Sequence, residues 1–246
     1  MDRLITISIS HYCEKARWAL QRANLPFEEE GHLPILHMPA VRRAGGQRST
    51  PVLKTAAGML TDSTDILRWV DQRRSGVLFS EQRGEEEALE DRFDEQLGPA
   101  TRRVAYFHLL PHRSLVLRLL NKNVPGWEVW FLRIFFPVAV GMMRRGLKID
   151  AAGAERSLKK VRDIFAEVSG RLADGRPYLC GQKFSAADLT FASLAAPLLL
   201  PPEQPVFAPS PDILPPAFQQ LVAELRATPA GAFALRMYRE ERARVL

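Results

Sequence analysis

The chain has 246 residues, 46% of them hydrophobic and 25% charged. That composition excludes a disordered polymer and allows one large or two small domains with adequate cores. Formal net charge is +6, but basic residues are interleaved with acids, as in "EQRGEEEALEDRFDEQ", and no basic run is long enough for a nucleic-acid-binding tail.

Residues 3–9, "RLITISI", alternate and are rich in β-branched side chains, which predicts a strand. Glu14 to Ala23 reads as a helix, with Ala16, Ala19, Leu20 and Ala23 at helical spacing and "NLP" as its stop. "FEEEGHL" reads as a second strand and "RRAGGQRS" as a loop. "TPVLKT" and "GML", joined by "AAG", read as a hairpin. "DSTDILRWVDQRR" reads as a helix opening on Asp62. The order β-α-β, loop, β-β-α predicts a small mixed sheet with helices packed on it.

Helical patterns take over after "RSGVLFSEQRG". "ALEDRFDEQLGPATRRVAYFHLL" predicts one long helix. Pro111, Pro125 and Pro137 break residues 111–150 into pieces. "GWEVWFLRIFFPVAVGMM" (126–143) is apolar, yet Glu128, Arg133 and Pro137 interrupt it. It is expected to be a buried or groove-lining helix, and no membrane span is predicted. Leu158, Val161, Phe165, Val168 and Leu172 step 3, 4, 3, 4 along an amphipathic helix. "SAADLTFASLAAPLLL" is apolar nearly all round, so it belongs in the core. A proline-rich loop (201–216) follows, then two shorter helices, the last with Thr228 and Pro229 as its cap and first residue.

Two cysteines, Cys13 and Cys180, make no disulfide framework. "MDRLITISIS" has neither the basic nor the long apolar region of a secretory signal. A reducing, cytoplasmic compartment is expected.

Three stretches carry candidate chemistry. In "SISHYCEKARWAL", Ser10 and Cys13 stand at CxxC spacing with serine in the first position. The Ser10 hydroxyl has no evident base partner, but it suits donation of a hydrogen bond to an anion held at the helix end. Cys13 at the helix start is expected to have a lowered pKa; the alternative is a buried, small apolar residue. In "TPVL", Pro51 can present a cis bond that leaves the N–H and C=O of Thr50 free to pair with a peptide; alternatively it is an edge-strand proline. In "LTDSTDIL", Asp62 or Ser63 can cap a helix whose free N–H groups would hold a carboxylate or phosphate, and Asp62 can accept from an ammonium. A plain cap is the alternative.

Strand, S-x-x-C, helix, T-P-V-L and D-S-x-x-I together describe a thioredoxin-like domain built for a thiol peptide. The combination resembles the glutathione transferase family, and "EKARWAL" looks like its tau, zeta, omega and bacterial members. "YLCGQKFSAADLTFASL" resembles the family's helix-capping signature, with Ser185 as cap and Asp188 as the reciprocal acid. The resemblance implies a thioredoxin-like α/β N-terminal domain (1–76) that binds glutathione and an all-α C-terminal domain (85–246). It implies that Ser10 faces the glutathione sulfur, that Thr50, preceding Pro51, pairs with the cysteinyl backbone, and that Asp62 and Ser63 hold the γ-glutamyl end. His37, Arg42, Arg43 and Arg48 are candidates for the glycine carboxylate, with spacing back from Pro51 favouring His37. It further implies glutathione as cosubstrate, a hydrophobic electrophile as second substrate, and a homodimer. His11 departs from the proline of many relatives.

His108 and His112 stand at i, i+4 around Pro111 with no further ligand nearby, so no metal site is expected. Tyr106, Phe107, Trp127, Trp130, Phe131, Phe135 and Phe136 are either core or the lining of a substrate groove. Three readings remain: a glutathione transferase, a peroxidase or thiol reductase acting through Cys13, and a non-catalytic interaction protein using residues 107–150 as a partner surface.

Overall fold

The computed structural model describes residues 1–206 and 209–245. Phe207 and Ala208 of the proline-rich loop, and Leu246, lie outside the described residues. The chain opens with β1 (Asp2–Ile7), α1 (His11–Arg22), β2 (Phe27–His32), α2 (Met38–Ala44), β3 (Val52–Thr55), β4 (Gly58–Leu60) and α3 (Ser63–Arg73). The sheet order is β2-β1-β3-β4, with β1 parallel to β2 and the other pairs antiparallel. A parallel pair needs a crossover, which α1 supplies.

Successive strand residues face opposite sides. Leu4 joins Ala16, Ala19, Ile66 and Leu67 of α1 and α3. Ile5 joins Ala40, Val41 and Val52 under α2. The α2 helix corrects the expected loop. It takes in Arg42 and Arg43, starts with Pro39 in its first turn and stops at Gly45, whose φ is 98°. The loop-like composition "AGGQ" belongs only to its exit.

The helical half comprises α4 (Arg83–Arg92), a π-helical turn at Phe93–Leu97, α5 (Gly98–Leu109), α6 (Arg113–Leu119), α7 (Gly126–Gly146), α8 (Ala151–Arg171), α9 (Ala186–Leu199), α10 (Pro216–Arg226) and α11 (Pro229–Met237). The expected single long helix is thus α4 and α5 joined by the π turn, because Pro99 cannot donate to an ordinary i→i−4 ladder. As expected, α9 is buried on nearly every side. Asp188 accepts from the Ser185 backbone (2.8 Å), the Ser185 hydroxyl (2.8 Å) and the Leu179 N–H (2.7 Å). Thr228 caps α11 through the Gly231 N–H at 3.0 Å.

The two halves share one apolar core, with α1 packed on α9. Buried charges fasten the seam. Lys15 is fully enclosed and donates to Glu90, Asp94 and Thr64. Glu14 accepts from Arg17 and, at 2.7 Å, from Arg242 near the far end of the chain.

The α7 helix is bent: Phe135, two residues before Pro137, leaves helical geometry at φ −97°, ψ 17°. It is long and apolar enough to cross a membrane by length and composition. The groove-lining expectation holds for its inner face, where Leu132 and Phe136 are buried. The buried expectation fails for its outer face, because among the described residues no other element packs there: Trp127, Trp130, Phe131 and Phe135 are exposed. The α6–α7 linker is pinned to the sheet. Ser8 Oγ donates to the Asn123 carbonyl (2.7 Å), and a Cβ on Gly31 would collide with that same carbonyl. Glu128, fully buried, binds the His32 ring and accepts from the Leu33 N–H at 2.7 Å.

Candidate active site

The site begins where β1 ends. The Ser10 N–H donates to the Ile7 carbonyl at 2.8 Å, closing a tight turn. Ser10 is the N-cap of α1, which starts at His11 rather than Glu14, and its Oγ accepts from the Cys13 N–H at 3.4 Å. The hydroxyl proton of Ser10 is left for another acceptor. The Thr50–Pro51 bond is cis, and among the described residues neither the N–H nor the C=O of Thr50 has a backbone partner.

Ser10, His37, Arg48 and Thr50 open into one cleft of about 480 Å³. Its far wall is Arg102 and Tyr106 of α5, and its roof is Met142, Met143 and Gly146 of α7. The rim loop contains Ile35 at φ 74°, a left-handed conformation that is costly for a β-branched residue and typical of functional rims. His37 donates from Nε2 to the Arg48 carbonyl at 2.9 Å, and burial lowers its pKa. The neutral ring therefore ties the α2 entry to the Arg48 segment.

Cys13 corrects the expectation of a lowered pKa. It is fully enclosed, and burial raises its thiol pKa; Arg17 and the hydroxyls of Ser10 and Thr50 only offset part of that. Desolvation outweighs the helix terminus. Asp62 caps α3 as expected, accepting from the Thr64 N–H at 2.8 Å, and is exposed. Ser63 is buried and donates to Asp94 at 3.3 Å. Neither lines the cleft around Ser10. Arg42 and Arg43, on α2, do not line it either.

Arg102 of α5 and His11 of α1 extend the expected set, and Tyr106 of α5 takes the groove-lining alternative. Arg102 faces the cleft without an ion-pair partner among the described residues. Burial keeps the Tyr106 phenol protonated. His11 is buried with its pKa lowered to about 3, chiefly by burial and then by Arg102, so the neutral ring donates to the Gly98 carbonyl at 3.0 Å. Arg102, Tyr106 and Leu109 recur at i, i+4, i+7, a spacing visible in "TRRVAYFHL" that marks one helix face. Beyond Tyr106 lies a small apolar pocket of about 50 Å³ between α5, α6 and α7, with Leu109, Val116, Leu132, Phe136 and Val140 in its wall.

A four-stranded mixed sheet carrying a cis-proline turn, fused to an all-helical domain over a shared cleft, defines a two-domain thioredoxin-like protein. Residues 4–78 match the glutathione S-transferase N-terminal domain and residues 151–228 the glutathione S-transferase C-terminal domain. The chain belongs to the glutathione S-transferase family.

Solved structures share the fold along nearly the whole chain. A glutathione S-transferase from Methylobacterium radiotolerans, in complex with glutathione sulfonate, is 20% identical with TM-score 0.54, covering 95% of this chain and 94% of that one. A theta-class enzyme from Xanthomonas axonopodis pv. citri, with glutathione bound, is 19% identical with TM-score 0.59 over 95% and 96%. A β-etherase from Sphingobium sp. is 15% identical with TM-score 0.59 over 96% and 98%. Among curated proteins, none matches the chain by sequence.

Proposed function

We propose that the protein is a cytoplasmic glutathione transferase that activates the thiol of bound glutathione for attack on an apolar electrophile. One observation carries this reading: the free backbone groups of Thr50 and the Ser10 hydroxyl at the tip of α1 open into a single cleft. An extended peptide pairing with Thr50 would bring its cysteinyl sulfur towards Ser10. The hydroxyl and the helix terminus would favour thiolate over thiol, whose ordinary pKa is about 8.5. The thiolate would then form a carbon–sulfur bond to an electrophile held in the same cleft beside Tyr106, expelling halide where the substrate is an aryl halide, while the thiol proton leaves to solvent. In this reading residues 1–76 hold glutathione and 85–246 supply the electrophile site. His37 and Arg48 stand towards the glycine carboxylate, and the γ-glutamyl end reaches out to Asp62 and Ser63 at α3. The solved relatives with glutathione or its sulfonate bound support the choice of peptide. A homodimer belongs to the same proposal. The Cys13-based alternative is weakened by the enclosure of that thiol.

The test is thermal stability with millimolar glutathione, then conjugation of an aryl halide. Ser10→Ala should keep glutathione affinity within a few-fold and lower kcat by about 100-fold, the usual effect of losing one donor to a developing anion. No melting shift at millimolar glutathione, or an unchanged rate in Ser10→Ala, refutes the reading.

A further inference from the structure

The described chain has nine exposed large hydrophobic side chains, and seven of them stand on α7: Trp127, Trp130, Phe131, Ile134, Phe135, Val138 and Met142. Their spacing follows one helix face. The opposite face of α7 is already used inward, against the apolar cavity. A helix apolar on both sides leaves an uncovered patch that calls for an occupant.

The surrounding charge says which occupant. From residue 111 to 148 the cations are Arg113, Arg118, Lys122, Arg133, Arg144, Arg145 and Lys148, all exposed. The sole acid of that stretch is Glu128, which is buried and turned inward. None of the seven cations forms an ion pair among the described residues; Arg113 donates to the Arg133 carbonyl instead. Four basic side chains, His112, Arg113, Arg118 and Arg133, line an open recess of about 920 Å³ between α6 and α7, and no carboxylate joins them. The recess and the apolar stripe meet at α7.

We propose that this face seats the protein on the surface of an anionic phospholipid bilayer. The Trp, Phe, Ile and Val side chains of residues 127–138 would enter the acyl boundary while the arginines and the recess hold headgroup phosphates. The helix lies flat rather than spanning, because Glu128, Leu132 and Phe136 hold its inner face to the protein. A second copy fits less well: an isologous pairing would set seven unpaired cations against seven more. An anionic bilayer satisfies the stripe and the charge together.

The experiment is flotation of the full chain with vesicles of phosphatidylcholine alone or with one-third phosphatidylglycerol. At about 0.1 M salt the protein should float with the anionic vesicles only, and release as salt rises towards about 1 M. Brominated acyl chains should quench its tryptophan fluorescence, and the quenching should fall in the double tryptophan variant, because Trp127 and Trp130 are exposed whereas Trp18 is buried and Trp69 is half-buried under Arg73. Arg118→Ala and Arg144→Ala should each weaken binding about fivefold. Trp127→Glu with Trp130→Glu should weaken it by roughly tenfold or more, with an unchanged circular dichroism spectrum. No flotation on anionic vesicles at low salt overturns the proposal. So does flotation that none of these variants alters, or a stripe-mediated dimer that the double tryptophan variant splits. Glutathione binding is read separately, so either proposal can fail alone.

Discussion

Ser10 and Cys13 sit three residues apart at the same helix end, yet their surroundings oppose one another. Ser10 keeps a free hydroxyl proton at the cleft, while Cys13 is enclosed and burial raises its thiol pKa. Cys13→Ala should therefore leave the conjugation rate within about twofold, and cost about 1 kcal/mol of stability for the small cavity it opens. Steady-state rates and urea midpoints of the same preparation check both halves. The serine's role as a cap is legible in S-x-x-C because it depends only on local geometry. The cysteine's fate is not, since it depends on what packs over the first turn. The same applies to "EKARWAL". Glu14, Lys15 and Arg17 look like a solvated face, but their partners come from positions 29, 90, 94 and 242. Nothing within a local window announces such distant charges.

At the level of elements, α7 shows what a single buried acid can do. Glu128 binds the His32 ring and the Leu33 N–H, and so ties the start of α7 to the end of β2. Glu128→Ala leaves those groups buried without an acceptor, and should cost about 2 kcal/mol or more. The loss should appear as faster amide exchange in residues 121–132 relative to α9. An exchange pattern that rises equally everywhere would contradict a local tether. The helices with a strong periodic or capping signal, α3, α8, α9 and α11, are legible in the sequence. The short α2 is not, because seven residues give too little pattern to outweigh the glycines that follow. The bent, two-sided α7 is legible only as apolar. Its hydropathy cannot say which apolar face meets protein and which meets the surroundings.

For the whole molecule, the composition shift near residue 80 reveals two halves, but not the single core that joins them. That core is centred on α9, whose cap makes global stability depend on pH. Burial raises the Asp188 carboxyl from its ordinary 3.8 to about 6, the three donors opposing that rise. A raised folded-state value means the native protein binds the proton more tightly than the unfolded chain. The associated stability is then complete below the ordinary value and is lost as pH rises through about 6. Wild type measured against Asp188→Asn should lose on the order of 3 kcal/mol between those limits, and nothing further above them. Urea titrations of the two proteins across that range read the difference directly. A gap that stays constant with pH would place the charge elsewhere.

The wall between the apolar cavity and the outside is, along α7, one helix thick, or roughly 10 Å. Its bend at Phe135 already divides it into two arms. A greasy compound arriving at the outer surface thus stands one helix away from the small pocket behind Tyr106, and swinging the arm beyond Phe135 would widen that pocket and admit the compound without a passage through water. Entry by that door would obey the oil–water partition coefficient of the compound rather than its aqueous solubility.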